Sequence, residues 1–362
     1  MTKPLSYNSS VEVPVENEAQ LVSEIVSMMA ATQRANADRH RHAHRDAHAK
    51  SHAILKARLN VHEGLTRELA QGIFAAPRSY DAIIRLSSAQ GDIHSDKIPA
   101  PRGFATKVLG VQGERLLPEL GGRNQDFLMV NFPVLAFGTV GKYKKMLALL
   151  EKNSHAPDLF QMVVAGSARL AEDVVEALGG TPGATLQGLA RNNDHMLGET
   201  FHTQATIRYG DYIAKLSLAP KSANVRALTS KPVQVDDFST MRDVVVDYFR
   251  ENGAEYELRA QLCVDLKAMP VEDAAVLWDE AISPQVPIAT FTIEPQDSAS
   301  PARRIYGDDV LSFNPWNGVE AHRPLGSIMR VRKPAYERST AFRHTENALD
   351  RIEPDTLDEM PD

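Results

Sequence analysis

The stretch AILKARLNV, residues 53–61, alternates without a break. Ala53, Leu55, Ala57, Leu59 and Val61 fall on one face, and Ile54, Lys56, Arg58 and Asn60 on the other. Successive side chains of a strand point to opposite faces, so a period of two with one polar face predicts a barrel wall. Tyr80–Ser88, Gly103–Gly110 and Asp126–Phe132 read as three further strands, separated by turn residues such as the Pro-Ala-Pro-Arg-Gly run from Pro99. Four more are predicted at Thr203–Tyr209, Tyr212–Ala219, Tyr256–Ala268 and Pro287–Glu294. Eight strands in two groups of four, with helices between them, imply an α+β chain built on an eight-stranded antiparallel β-barrel. The helical insertion covers about residues 140–197 and breaks at Gly179–Gly183.

The flanks divide the chain further. Residues 1–34 form a polar arm and a helix from Glu18 to about Arg34, with Leu21, Ile25, Met28 and Met29 at helical spacing. A His- and Arg-rich stretch, Ala35–His52, opens the barrel region of residues 35–300. Residues 301–345 are a Pro-, Asn- and Gly-rich wrapping segment and a last helix. The acidic tail 346–362 is expected to be solvated and disordered.

Bulk composition excludes several classes. The 362 residues are 43% hydrophobic, enough for a large core, and the net charge of −7 gives no general attraction to nucleic acid. The start lacks the basic-then-apolar order of a signal peptide, and no apolar run is long enough to cross a bilayer. Cys263 is the only cysteine, so no intrachain disulfide forms, and a cytoplasmic location is expected.

The sharpest chemical signal is LSFNPWNGVEAHRPLGSIMRVRKPAYERSTAFRH, Leu311–His344. Arg332 and Tyr336 stand four apart, which puts them on one helix face. A neighbouring cation favours the phenolate, although ionising a tyrosine at neutral pH takes on the order of 4 kcal/mol. Such a pair occurs by chance on many helices, and Pro334 between the two is expected to kink the helix or place them in its first turn.

The longer context resembles the proximal segment of haem catalases: FNPWN, a proline-containing link, Arg332 and Tyr336 in the family's Arg-xxx-Tyr, then Arg343. Four further motifs resemble the family in order. Arg45-Asp46-Ala47-His48-Ala49-Lys50 is similar to its distal histidine segment. Ile84-Arg85-Leu86-Ser87-Ser88 is similar to its Val-Arg-Phe-Ser-Thr strand. Pro101 to Lys107 is similar to its Pro-Arg-Gly-Phe-Ala-x-Lys, and Gly122-Arg123-Asn124 to its Gly-Asn-Asn. The resemblance covers about residues 45–345 and implies haem b held by Tyr336 as axial iron ligand. It implies that Arg332 keeps Tyr336 ionised and that Arg45, Arg85 and Arg343 lie on the propionates. It further implies a catalytic set of His48, Asn124 and Ser87. His48 moves a proton between the peroxide oxygens, Asn124 orients the peroxide and Ser87 fixes the imidazole.

The chain departs from true catalases at Ala47, at Ser51-His52-Ala53-Ile54, at Leu128 and Met129 in place of paired phenylalanines, and at Thr340 in place of a histidine. It is also shorter. Those changes resemble the short catalase-related haemoproteins, including allene oxide synthase-like and hydroperoxide lyase-like members. The expected substrate is therefore hydrogen peroxide or a fatty-acid hydroperoxide, and a homodimer or higher homo-oligomer is expected. No Gly-x-Gly-x-x-Gly fingerprint occurs, so no dinucleotide is expected.

Two other readings stand beside this one. His40, His44, His48 and His52 recur every four residues and on one helix would form a zinc ladder, with Asp38 or Asp46 as a further ligand. A non-catalytic haem-binding protein is the other, though it needs no distal acid–base pair. Trp278 and Trp316 read as packing residues, Cys263 as buried and inert, and His322 as satisfying a backbone group.

Overall fold

The computed structural model describes residues 3–152 and 193–362. β1 (Ser51–Val61), β2 (Ser79–Ser88), β3 (Arg102–Val108) and β4 (Gln125–Val130) form an antiparallel meander. A second group follows: β5 (Phe201–His202), β6 (Ile207–Tyr209), β7 (Tyr212–Pro220), β8 (Ala254–Leu262) and β9 (Gln285–Ile293). β9 pairs with β1, and β5 pairs with both β4 and β7. Eight antiparallel strands therefore close a ring, as the alternation implied, and β6 is an added edge on β7. The strand expected over Thr203–Tyr209 is broken in two, because Gln204 turns left-handed at φ 61° and donates its side-chain amide to the Val134 carbonyl at 2.6 Å.

The inward face of β1 is the predicted one. Ala53, Leu55, Ala57, Leu59 and Val61 all enter the main core. There the Phe104 ring lies 5.2 Å from Phe201 and 5.3 Å from Tyr256. Each large apolar side chain so buried contributes about 1.5–3 kcal/mol. Phe74, Phe127 and Tyr209 surround His322, whose Nε2 accepts from the Ile73 backbone at 3.0 Å. His322 thus serves a backbone group, as expected, but one far away in sequence. Trp316 is buried and donates to the Met329 carbonyl, Trp278 is buried, and Cys263 is fully buried with its thiol pushed up to about 11 by burial.

Three helices pack beside the barrel: α1 (Glu18–His40), α2 (Val140–Lys152) and α4 (Ser327–Glu346), sharing Ile25, Val140 and Val331. α1 runs six residues past its expected end and stops where Arg41 turns left-handed at φ 55°. α2 opens the expected helical insertion; residues 153–192 of that insertion, including the break at Gly179–Gly183, lie outside the described residues. α3 (Thr240–Glu251) was not anticipated, although Met241, Val245 and Phe249 recur every four residues and are buried. α4 runs through Pro334, so Arg332 and Tyr336 lie past the first turn, contrary to expectation. Among the described residues no helix is long and apolar enough to cross a membrane.

The tail is not a solvated appendage. Glu353 is buried against Lys107 at 2.7 Å, and Met360 joins an apolar cluster with Ile54, Ile83, Leu311 and Phe313. Asp362 pairs with Lys56 at 2.7 Å. Acidic composition suggested solvation, but buried and half-buried cations on the barrel wall provide partners.

Candidate functional site

A narrow cavity of about 60 Å³ lies between the barrel wall and α4. Each wall comes from a different part of the sequence. The loop before β1 contributes Arg45, Asp46, Ala47 and His48; β2 contributes Arg85 and Ser87; β3 and β4 contribute Gly103, Phe104, Ala105, Leu128, Met129 and Val130. α4 contributes Arg332, Tyr336, Ser339, Thr340 and Arg343, whose spacing of three and four residues puts them on one helix face.

His48 is held from several sides. Its backbone is left-handed at φ 55° and its N–H donates to the Ala89 carbonyl at 3.1 Å. Its Nδ1 meets Ser87 Oγ at 3.0 Å, which orients the ring. Gly103, opposite Ser87 in the β2–β3 register, leaves room for that ring: a Cβ there would lie 2.4 Å from His48 Nδ1. Burial, joined by the charges of Arg85, Arg332 and Arg45, lowers the imidazole to about 3, so it is neutral at physiological pH.

Tyr336 lines the same cavity and is half-buried there. The Arg332 guanidinium carbon lies 5.9 Å from the tyrosine ring centre. Burial raises the phenol above its ordinary value, and Arg332 only partly offsets this. The guanidinium alone therefore does not ionise Tyr336.

Arg45, Arg85 and Arg343 come together, as the motifs implied. Arg85 reaches Asp308 Oδ1 at 2.8 Å and Arg45 approaches the same oxygen at 3.9 Å. Arg343 donates instead to the Asp308 carbonyl at 3.0 Å and to Ser312 Oγ at 2.9 Å. Burial and mutual repulsion lower the affinity of Arg45 and Arg343 for their protons. Positive charge is in surplus here.

Asn124 is not brought to the cavity wall. Its amide donates to Glu353 Oε2 at 3.2 Å and to the Pro354 carbonyl at 3.0 Å, so the packed tail engages the group expected to orient peroxide. The histidine ladder does not form either. His40 ends α1 and meets Asp92, His44 packs edge-on against the rings of His40 and His42 at 5.3 and 5.1 Å, His48 faces the cavity, and His52 meets Ser88 at 2.8 Å. Among the described residues no group of His, Cys, Asp and Glu converges as a metal site. Asp308 was missed, because nothing in Gly307-Asp308-Asp309 signals a partner 223 residues away. Gly103 had a signal, the Pro-Arg-Gly turn, whose packing reason only the ring of His48 reveals.

Comparison with solved structures agrees on the architecture. The chain superposes over 96% of its length on a fungal catalase (TM-score 0.57), over 97% on a bacterial catalase (0.59) and over 98% on catalase A from Saccharomyces cerevisiae (0.58), at 14% identity in each case. The chain has a catalase-like fold. It spans 66%, 66% and 72% of those three proteins' lengths. No family model and no curated protein matches its sequence. The catalase-like barrel thus supplies the frame that places the side chains named above.

Proposed function

We propose that this cavity binds haem and processes peroxides, hydrogen peroxide or an organic hydroperoxide. The observation that carries the reading is one cavity that holds a neutral, oriented His48, a half-buried Tyr336 beside Arg332, and a surplus of arginine charge. This donor set fits the group. Tyr336 would hold the iron through its phenol oxygen, with Arg332 favouring its anion. Arg45, Arg85 and Arg343 would hold the two carboxylates by charge-assisted bonds. Haem, when bound, supplies the redox-active iron at which the O–O bond is cleaved. The protein's part is proton handling: His48 Nε2 takes the proton from one peroxide oxygen and returns it to the other, while Ser87 holds the ring. Asn124, engaged by the tail, takes no part in this geometry. Ala47, Leu128 and Phe313 make the cavity wall partly apolar, which favours a hydroperoxide carrying an alkyl chain.

The test is the absorption spectrum of protein expressed with a haem supply, compared with Tyr336→Phe. A ferric Soret band that shifts or disappears in the variant is expected. A protein that takes up no haem overturns the reading. Turnover of hydrogen peroxide against fatty-acid hydroperoxides then assigns the substrate.

A further inference from the structure

The cavity of about 60 Å³ is far smaller than the roughly 300–1,000 Å³ of ordinary small-molecule sites. The hydrogen bonds that hold Arg45 and Arg343 come from one segment, the π-helical turn Tyr306–Val310 and the two residues after it, whereas Arg85 also donates to the carbonyls of His48 and Ala49 at 2.8 and 3.1 Å. The carbonyls of Gly307, Asp308 and Leu311 accept from Arg45, and those of Asp308, Asp309 and Leu311 accept from Arg343. Only one side-chain carboxylate enters the group directly. Asp308 Oδ1 takes both Nε and Nη2 of Arg85, at 3.2 and 2.8 Å, while its Oδ2 is held by Ser51 Oγ at 2.7 Å. Asp308 also borders an open cleft of about 650 Å³ on the other side, lined by Arg242 and Arg304. The carboxylate therefore has room and cationic company outside the cavity.

We infer that Asp308 is a built-in carboxylate that engages two of the three arginines, Arg85 and Arg45, and competes for them with the carboxylates of an incoming ligand. This rests on the haem reading above. In the unloaded chain Asp308 neutralises part of the buried charge. On loading, its side chain turns toward the cleft and releases Arg85 and Arg45. The competition makes uptake weaker than an open cradle allows, and makes the unloaded fold more stable.

The two effects have opposite signs, and that carries the test. Haem affinity is measured by Soret titration, and the melting temperature of the haem-free protein is measured alongside, for wild type, Asp308→Asn and Ser51→Ala. Asp308→Asn is expected to bind haem about ten-fold more tightly, the worth of one charge-assisted hydrogen bond, while the haem-free protein melts earlier. Ser51→Ala, which keeps the charge and frees one oxygen, is expected to shift both in the same directions by less. If affinity is unchanged or falls in Asp308→Asn while wild type binds haem, the inference is wrong and the haem reading stands. If wild type and both variants take up no haem, both are wrong.

Discussion

Two buried ionic clusters flank the same sheet, and they are built on opposite principles. Around Lys107 the charges balance once Arg351, 3.8 Å from Glu353, is counted: two cations face the carboxylates of Asp126 and Glu353. The Lys107 ammonium lies 2.9 Å from Asp126 and 2.7 Å from Glu353, and Asn314, Asn317 and Asn124 donate to those carboxylates. Asp126 and Glu353 together outweigh burial and raise the lysine's hold on its proton. Around Arg85 the charges do not balance: three guanidinium groups share one directly paired carboxylate, that of Asp308, and Asp309 is turned to His42. A buried cluster that is complete holds a fold in one arrangement. A cluster with surplus charge is a binding surface, because an anion is the cheapest way to relieve it.

Substitutions test that contrast, beginning with the largest expected effect. His48→Gln leaves both clusters intact and should lower peroxide turnover by about 10²–10⁴-fold while haem binding persists. Unchanged steady-state kinetics would remove His48 from the mechanism. Lys107→Met leaves two buried carboxylates without their cation and should cost about 3–5 kcal/mol in urea denaturation. Arg343→Met should cost the haem-free fold much less and should mainly weaken haem uptake. If Arg343→Met destabilises as much as Lys107→Met, the distinction between the clusters fails. Ser87→Ala removes one hydrogen bond from the imidazole and should slow turnover about ten-fold, near the worth of a single bond, with little change in melting temperature.

The pH dependence gives a test of a different kind. His48 and His322 both titrate near 3 in the folded chain because burial disfavours their cations. In the unfolded chain they take protons near 6.5. Between those values the unfolded state binds more protons, so stability falls as pH drops from about 6.5 toward 3 and is fully present above 6.5. Denaturation midpoints at pH 7 and pH 4.5 should show this loss. His48→Gln should reduce it without abolishing it, since His322 still contributes. An equal loss in the variant excludes a contribution from His48.

Much of the barrel was legible because alternation is a local property. The register of β1 could be read from nine residues, and every inward one reached the core. The site was legible where short motifs carried it: Arg45, His48, Arg85, Ser87, Arg332, Tyr336 and Arg343 line one cavity although the first and last are nearly 300 residues apart. What escaped depends on pairings that sequence does not announce. Asn124 was assigned by its place in a motif, yet the tail's Glu353 and Pro354 engage its amide. The tail read as solvated because its charges were counted without their partners. Spacing sets the phenol of Tyr336 beside Arg332, but the cost of burial depends on enclosure, which spacing does not report.

The docked tail also orders the events of folding. Glu353 meets Lys107 across 246 residues, and Lys107 sits fully buried on a strand in the middle of the meander. Contacts so distant in sequence form late, after the loop between them has closed. Until then the lysine is exposed on an unfinished wall, and the apolar patch around Ile54, Ile83 and Phe313 lacks Met360. Residues after 350 thus complete both the charge balance and the apolar cover of strands made long before, and a chain interrupted before residue 353 would expose a lysine and a sticky surface to the protein-quality machinery of its cell.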